Sequence, residues 1–291
     1  MTRLGRLLLL LVGVVGAATL GACGQSDGSL PSLVAQLADQ AGTDVVASLV
    51  VEHEQGRPLG VRVAFLKPDG SAVGFYRSPS HQSVQTTSDP VPAPLRDGVP
   101  VARLDLVGLE QRMAALPHCE DERGQLFMLD GHVLETVRCK VDGEPTSRLD
   151  GTPVERTPAG DLPAAARQVR DDAALVGAEQ VTDVTIALRS DEVSTRFRVS
   201  SPPRPRTEGT DCSLAVTRAQ GALAIGCDSV PTDGFPVAAL APEAIEKIWV
   251  AEGRPQSGWT LSLVNPKDPC WHAKQGNQTR RYTLTGELSG P

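Results

Sequence analysis

Aromatic residues are what this chain of 291 residues lacks most. They make up 3% of it, and all three Trp (Trp249, Trp259, Trp271) fall near the C-terminus. Lysine is scarce as well, five against 23 Arg, and only two Asn occur, Asn265 and Asn277. Positive charge is in deficit overall. The formal net charge is −7, and residues 1–22 hold Arg3, Arg6 and no acid, so the remainder stands at −9. A chain so balanced offers no broad basic surface for neutralising phosphates, which excludes nucleic acid as an expected partner. Nor does it attract anionic lipid headgroups.

Catalytic signatures are missing too. There is no G-x-S-x-G elbow, no S-x-x-K, no H-E-x-x-H and no Gly-rich phosphate loop after a strand. The five His (His53, His81, His118, His132, His272) are scattered. His118-Cys119, His132, Cys139 and Cys270-Trp271-His272 lack the tight C-x₂₋₄-C or H-x₃₋₅-H pairs that zinc sites use, so no metal site is expected. No cofactor and no catalytic residue is expected either. What the chain does hold is 40% hydrophobic and 22% charged residues, enough apolar material for a packed core.

One long apolar run is present, and it opens the chain: MTRLGRLLLLLVGVVGAATLGAC. Arg3 and Arg6 precede an apolar stretch from Leu7 to Val15, and small residues follow, which is the layout of a secretory signal. Residues 7–20 are short for a spanning helix, which needs about 20 residues. Leu20-Gly21-Ala22-Cys23 resembles the lipobox of bacterial lipoproteins. The resemblance covers these 23 residues and implies an address. It makes 1–22 a signal peptide removed before Cys23, whose thiol carries a diacylglyceryl group. The mature chain would then sit on the extracytoplasmic face of the cell membrane, held by lipid. Each buried CH₂ of the acyl chains contributes about 0.8 kcal/mol to such anchoring. Residues 23–29 read as lipidated cysteine plus a small, polar tether. The excess of Arg over Lys, with abundant Ala, Val, Gly and Pro, fits a GC-rich bacterial genome and reflects codons rather than function.

The body of the chain repeats itself. DGVPVARL (97–104) and DGFPVAAL (233–240) agree at six of eight positions. LPSLVAQLADQA from Leu30 parallels LPAAARQVRDDA from Leu162. TDVV (43–46) parallels TDVT (182–185), LEQRM (109–113) parallels AIEKI (244–248), and GQLFML (124–129) parallels GWTLSL (258–263). A series of matches in one order marks a duplication. Leu30, Leu33, Val34, Leu37 and Ala41 share one helical face, as do Leu162, Ala165, Ala166, Val169 and Ala173. Alternating apolar and polar residues at 184–188, 193–199, 259–263 and 282–288 predict strands with one covered face. The expected class is α+β, with two tandem related domains. Each is a mainly antiparallel sheet covered on one face by two helices, in the order helix, about four strands, helix, about two strands. Repeat 1 spans 30–146 and repeat 2 spans 161–291. Residues 147–160, rich in Pro, Gly, Thr and charge, read as the linker.

An exported chain favours disulfides. If Arg218 faces Gly221 across a turn, Cys212 faces Cys227 on one sheet face, which predicts a Cys212–Cys227 bridge. A Cys119–Cys139 bridge would pin the end of the second helix to the sheet, and Cys270 is left over. Binding is expected in what one copy has and the other lacks. Residues 201–210 (SPPRPRTEGT) interrupt a hairpin that the first copy closes with Pro68-Asp69-Gly70-Ser71. This makes Pro202, Pro203, Arg204, Pro205 and Arg206 candidate recognition residues. Trp271, in a polar setting, is a further candidate as an exposed interface residue. The functional expectation is a non-catalytic binding or scaffold protein of the cell envelope, its partner an envelope protein or ligand. The alternative is a lipid or small-molecule carrier with an apolar cavity, and an enzyme ranks third.

Overall fold

The computed structural model describes residues 29–54, 59–78, 83–87, 98–117, 119–140, 144–200, 213–228, 233–264 and 267–289. The first half runs α1 (Leu30–Ala41), β1 (Val45–Glu54), β2 (Gly60–Leu66), β3 (Ala72–Arg77), β4 (Val84–Thr87), β5 (Val99–Pro100), α2 (Leu106–Ala114), β6 (Asp121–Leu129), β7 (His132–Cys139), β8 (Thr146–Leu149) and β9 (Thr152–Pro153). The second runs β10 (Thr157–Pro158), α3 (Leu162–Leu175), β11 (Gln180–Leu188), β12 (Glu192–Val199), β13 (Ser213–Ala219), β14 (Ala222–Asp228), β15 (Phe235–Pro236), α4 (Pro242–Ala251), β16 (Trp259–Val264), β17 (Cys270–Gln275) and β18 (Gln278–Tyr282). Two antiparallel sheets result. Their orders are β4-β3-β2-β1-β6-β7-β8-β9, with β5 on β1, and β14-β13-β12-β11-β16-β17-β18, with β15 on β11 and β10 on β12. The class is α+β, with four helices and two similar halves.

Local chemistry explains the helices. In α1, Ser29 accepts a hydrogen bond from the Ser32 N–H, Pro31 sits in the first turn, and Gly42 closes the end. In α3, Asp161 accepts from Ala164, and Pro163 sits in the first turn. The buried faces are Leu30, Leu33, Val34, Leu37 and Ala41, and Leu162, Ala165, Ala166, Val169 and Ala173, as the periodicity requires.

The repeated phrase turns out to be a packing device. Its Val-Pro or Phe-Pro forms β5 or β15, pairing with β1 or β11. A 3₁₀ turn follows, and the final Leu104 or Leu240 is buried. In both copies the second Val donates to an equivalent carbonyl, Val101 to Asp44 and Val237 to Glu179. Glycine is required because a Cβ on Gly98 would lie 2.5 Å from Val45 Cγ1, and one on Gly234 2.3 Å from Ser200 Cβ.

Three registers differ from the sequence reading. The Asp44/Glu179 equivalence sets Thr43-Asp44-Val45-Val46 against 178–181 and not against 182–185. The bulge of β11, between Thr182 and Thr185, adds one residue, as does that of β1, between Val46 and Ser48, but it lies further along its strand. Past the bulges, Ser48 pairs with Ala64 and Phe127, and Thr185 with Arg196 and Ser262. Counting on from Val46 and Val181 through bulges of equal length, Val50 corresponds to Thr185, and with it Arg62 to Arg196, Arg123 to Thr260, Gly124 to Leu261 and Glu122 to Trp259. The N-caps Asp105 and Ala241 match Met113 to Trp249 and Arg112 to Ile248.

Residues 147–160 do not form a linker. Ser147–Leu149 lies in β8, Asp150-Gly151 turns the chain into β9, and Thr157–Pro158 joins the second sheet. Asp-Gly between strands is a hairpin signal, which the Pro- and charge-rich composition obscured. Residues 282–288 are not one strand either: β18 ends at Tyr282, and Leu288 returns to bridge it.

The halves share a core. The bulge turns Ala47 to the face of the first sheet opposite α1 and α2. There Ala47, Ala64, Leu129 and Leu134 join the apolar cluster of the second half. The edge strand β14 meets this sheet through Leu223, whose N–H donates to Ser147 Oγ at 3.1 Å. The Leu223 carbonyl accepts from Ser147 at 3.3 Å and from Thr136 at 3.5 Å. A sheet edge that would otherwise present unpaired backbone is thereby closed.

Candidate functional site

Of the residues singled out from sequence, several lie outside the described ones: Cys23, Pro202, Pro203, Arg204, Pro205, Arg206, Cys212, His81 and His118. Cys119 and Cys139 form a disulfide with Cα atoms 5.6 Å apart. The hairpin between β13 and β14 turns at Gln220-Gly221 alone, so Cys227 pairs with Leu214 rather than facing Cys212. A two-residue turn shifts the register by two from the one assumed. Trp271 is not an interface residue: it is 0% exposed, packed on the helix-covered face opposite Leu263. Cys270 is buried and reduced, with Sγ 3.3 Å from both His272 Nε2 and Arg281 Nη2. His132 is bound to Asp150 at the β7 turn. Among the described residues no group of three or more His, Cys, Asp or Glu is arranged to hold a metal ion.

The features that stand out lie in the first half, at the end of the sheet where β1 finishes and β2 and β6 begin. On the helix-covered face, a cavity of about 210 Å³ is lined by His53, Leu59, Glu110, Met113, Ala114 and Glu122. His53 on β1 and Glu122 on β6 are direct cross-strand partners, and the imidazole Nδ1 is hydrogen-bonded to the Glu122 carboxylate. Glu122 is 7% exposed. Its other neighbour across the sheet is Cys139, so the disulfide fixes the strand that carries it. Glu110 accepts from the Leu30 N–H at 2.9 Å, which ties the cavity to the first residue of α1.

Space for this cavity comes from a difference between the copies. Where the first half has Met113 and Glu122, the second has Trp249 and Trp259. Trp259 is fully buried, and Trp249 donates from Nε1 to the Pro255 carbonyl, holding its ring across the helix end. Two indoles thus stand where the first half has a thioether and a carboxylate.

The other face of the same strands carries a second cavity, of about 250 Å³, lined by Val50, Glu52, Gly60, Arg62, Tyr76 and Arg123 among others. Arg62 Cζ lies 5.2 Å from the Tyr76 ring centroid, a cation–π stack. Arg123 is steadied by the Gln125 amide oxygen, which accepts from Nε and Nη2 at 3.2 and 2.9 Å in its satisfied orientation. Glu52 lies 3.8 Å from Lys140 Nζ, which also donates to Glu54. Neither Arg62 nor Arg123 forms an ion pair with a carboxylate of the described residues. Sequence reading missed this site because its residues come from four strands and share no spacing.

Two buried ion pairs also distinguish the halves. Arg112 spans to Glu135 at 2.5 and 2.6 Å, where the second half has Ile248 and Trp271. Asp172 pairs with Arg218 at 2.5 and 3.0 Å, where the first half has Gln40 and Arg77. Burial raises the Asp172 carboxyl above its ordinary range, against the pull of the Arg218 guanidinium.

No helix among the described residues is long and apolar enough to cross a membrane. Comparison with known proteins gives no match, either to a family model or to a curated sequence.

Proposed function

We propose that this protein is a lipid-anchored, extracytoplasmic binding protein of the cell envelope, without catalytic activity, whose ligand site is the free end of the first sheet. One observation carries the placement of the site. Both cavities flank the same short stretches of β1, β2 and β6, where the first half departs most from the second. The second half then acts as scaffold, its positions corresponding to Met113, Glu122, Arg62 and Arg123 filled by Trp249, Trp259, Arg196 and Thr260. Cavities of about 210 and 250 Å³ are below the roughly 300–1,000 Å³ of sites for drug-sized ligands, which favours a small ligand over a lipid cargo.

The anchor rests on Cys23 and the run before it. Cys23→Ser should leave the chain unacylated and remove it from the membrane fraction, while a variant still acylated contradicts the lipobox reading. The binding role is tested by native mass spectrometry of the full chain extracted from its own membranes in mild detergent. The expected spectrum carries a small-molecule adduct that disappears in Arg62→Gln/Arg123→Gln. An adduct retained by the double variant, or no adduct at all, contradicts the proposal.

A further inference from the structure

We propose that the open-face cavity of the first sheet binds a small hydroxylated oxyanion, a sugar acid or a sugar phosphate. This deepens the binding reading above and rests on it.

The argument starts from charge. The chain carries net charge −7, yet two guanidinium groups flank one small cavity with no carboxylate paired to either among the described residues. Arg62 is on β2 and Arg123 on β6, the two neighbours of β1. They therefore approach the cavity from opposite sides, across Val50 and Glu52. Guanidinium groups recognise carboxylate and phosphate oxygens through paired N–H donors. Both are held before any ligand arrives, Arg62 on the Tyr76 ring and Arg123 by Gln125. Such preorganisation lowers the ordering cost of binding.

The remaining walls ask for hydroxyl groups. Glu52 offers carboxylate oxygens, and its charge is partly balanced by Lys140, so an anion can sit nearby. Across the sheet from Glu52 lies Gly60, which keeps the floor low. The Tyr76 ring and Val50, on either side of Arg62, supply the apolar part of the lining. Positive sides, an acceptor and an apolar wall together suit a ring that bears both an acid group and hydroxyls.

The pair of guanidinium groups beside a ring belongs to the first half alone. Where it has Arg62, Tyr76 and Arg123, the register sets Arg196, Thr217 and Thr260 in the second.

The test is isothermal titration of the full chain in detergent with D-glucuronate, D-glucose 6-phosphate and neutral D-glucose. At least one acid should saturate while glucose does not. Saturation by glucuronate alone identifies a carboxylate ligand, and by the phosphate alone a phosphoryl ligand. Arg62→Gln and Arg123→Gln should each weaken that acid about ten-fold, the loss expected for one charge-assisted hydrogen bond. Their unfolding midpoints should stay unchanged. Glucose binding as well as the acids, neither acid saturating up to about 10 mM, or full affinity in Arg123→Gln would overturn the proposal. Native mass spectrometry tests the broader reading separately: an adduct of neutral mass would uphold binding and sink this ligand class.

Discussion

Met113 occupies the space that a side chain on Gly124 would need: a Cβ there would lie 2.7 Å from Met113 Sδ and 2.9 Å from Leu109 Cδ1. In the other half the matching positions are Trp249 and Leu261, so the two copies fill this contact with different side chains. Gly124→Ala overpacks this contact and should cost about 1–3 kcal/mol. Trp259→Ala empties a filled site and should cost about 3–5 kcal/mol. Denaturant titration of the two variants checks both values, and a neutral Gly124→Ala would show that Met113 moves freely.

Ser147 is the joint between the sheets. Its hydroxyl serves both backbone groups of Leu223 on the β14 edge. Ser147→Ala leaves the Leu223 N–H buried without its partner, at a cost of about 1–3 kcal/mol. Thr136→Val should cost less, since its contact with Leu223 is 3.5 Å and one of two to that carbonyl. If unfolding followed by separate probes in each half remains a single transition in wild type and splits in Ser147→Ala, the shared core depends on this residue.

Asp105 caps α2 through the Gly108 N–H and also bonds Arg112, and these contacts hold its carboxyl below the ordinary value of 3.8. The folded chain binds that proton less tightly than the unfolded one. The stabilisation is therefore present above about pH 3.8 and is lost as pH falls through the lower folded value. Asp105→Asn keeps the cap and should remove this part of the acid slope. Asp105→Ala should cost about 1 kcal/mol at neutral pH. Urea unfolding across pH 2–7, a window of about five units around the carboxylate range, separates the two.

The Cys119–Cys139 bridge closes a loop with a sequence separation of 20. Cys119→Ser/Cys139→Ser should lower stability by about 3 kcal/mol on the chain-entropy account. It should also speed amide exchange at 121–125, where Glu122 is carried. Unchanged exchange there would show that the His53–Glu122 contact alone fixes the strand.

Much of the fold is readable in the chain because its signals are local and doubled. The apolar faces of α1 and α3, the Pro in each first turn and the alternation at Val184, Ile186 and Leu188 need no tertiary information. Cys119 and Cys139 are legible since one follows a helix and the other sits on a strand. What escaped reading depends on counts that a sequence does not display. The one-residue bulges of β1 and β11 fall at different points of the two strands, which side-chain pattern alone does not register. The two-residue turn at Gln220-Gly221 moves Cys227 opposite Leu214. Trp271 has polar sequence neighbours, but in a strand those neighbours point to the other face. The candidate site escaped for a further reason. The gains of the second copy, its Trp residues and its long loop, are plain in the sequence, whereas the helix-side cavity lies where the first copy has Glu122 and Met113 in place of indoles.

The most direct test of the account compares amide hydrogen exchange of the full chain in its own envelope membranes with that of the purified chain in detergent. The free end of the first sheet, residues 50–54, 59–62 and 121–125, should exchange more slowly in the membranes, where ligand is present, while the matching segments 185–189, 193–196 and 258–262 behave alike in both. Equal exchange at the first set, or protection confined to the second half, would contradict a binding site at this end of the molecule.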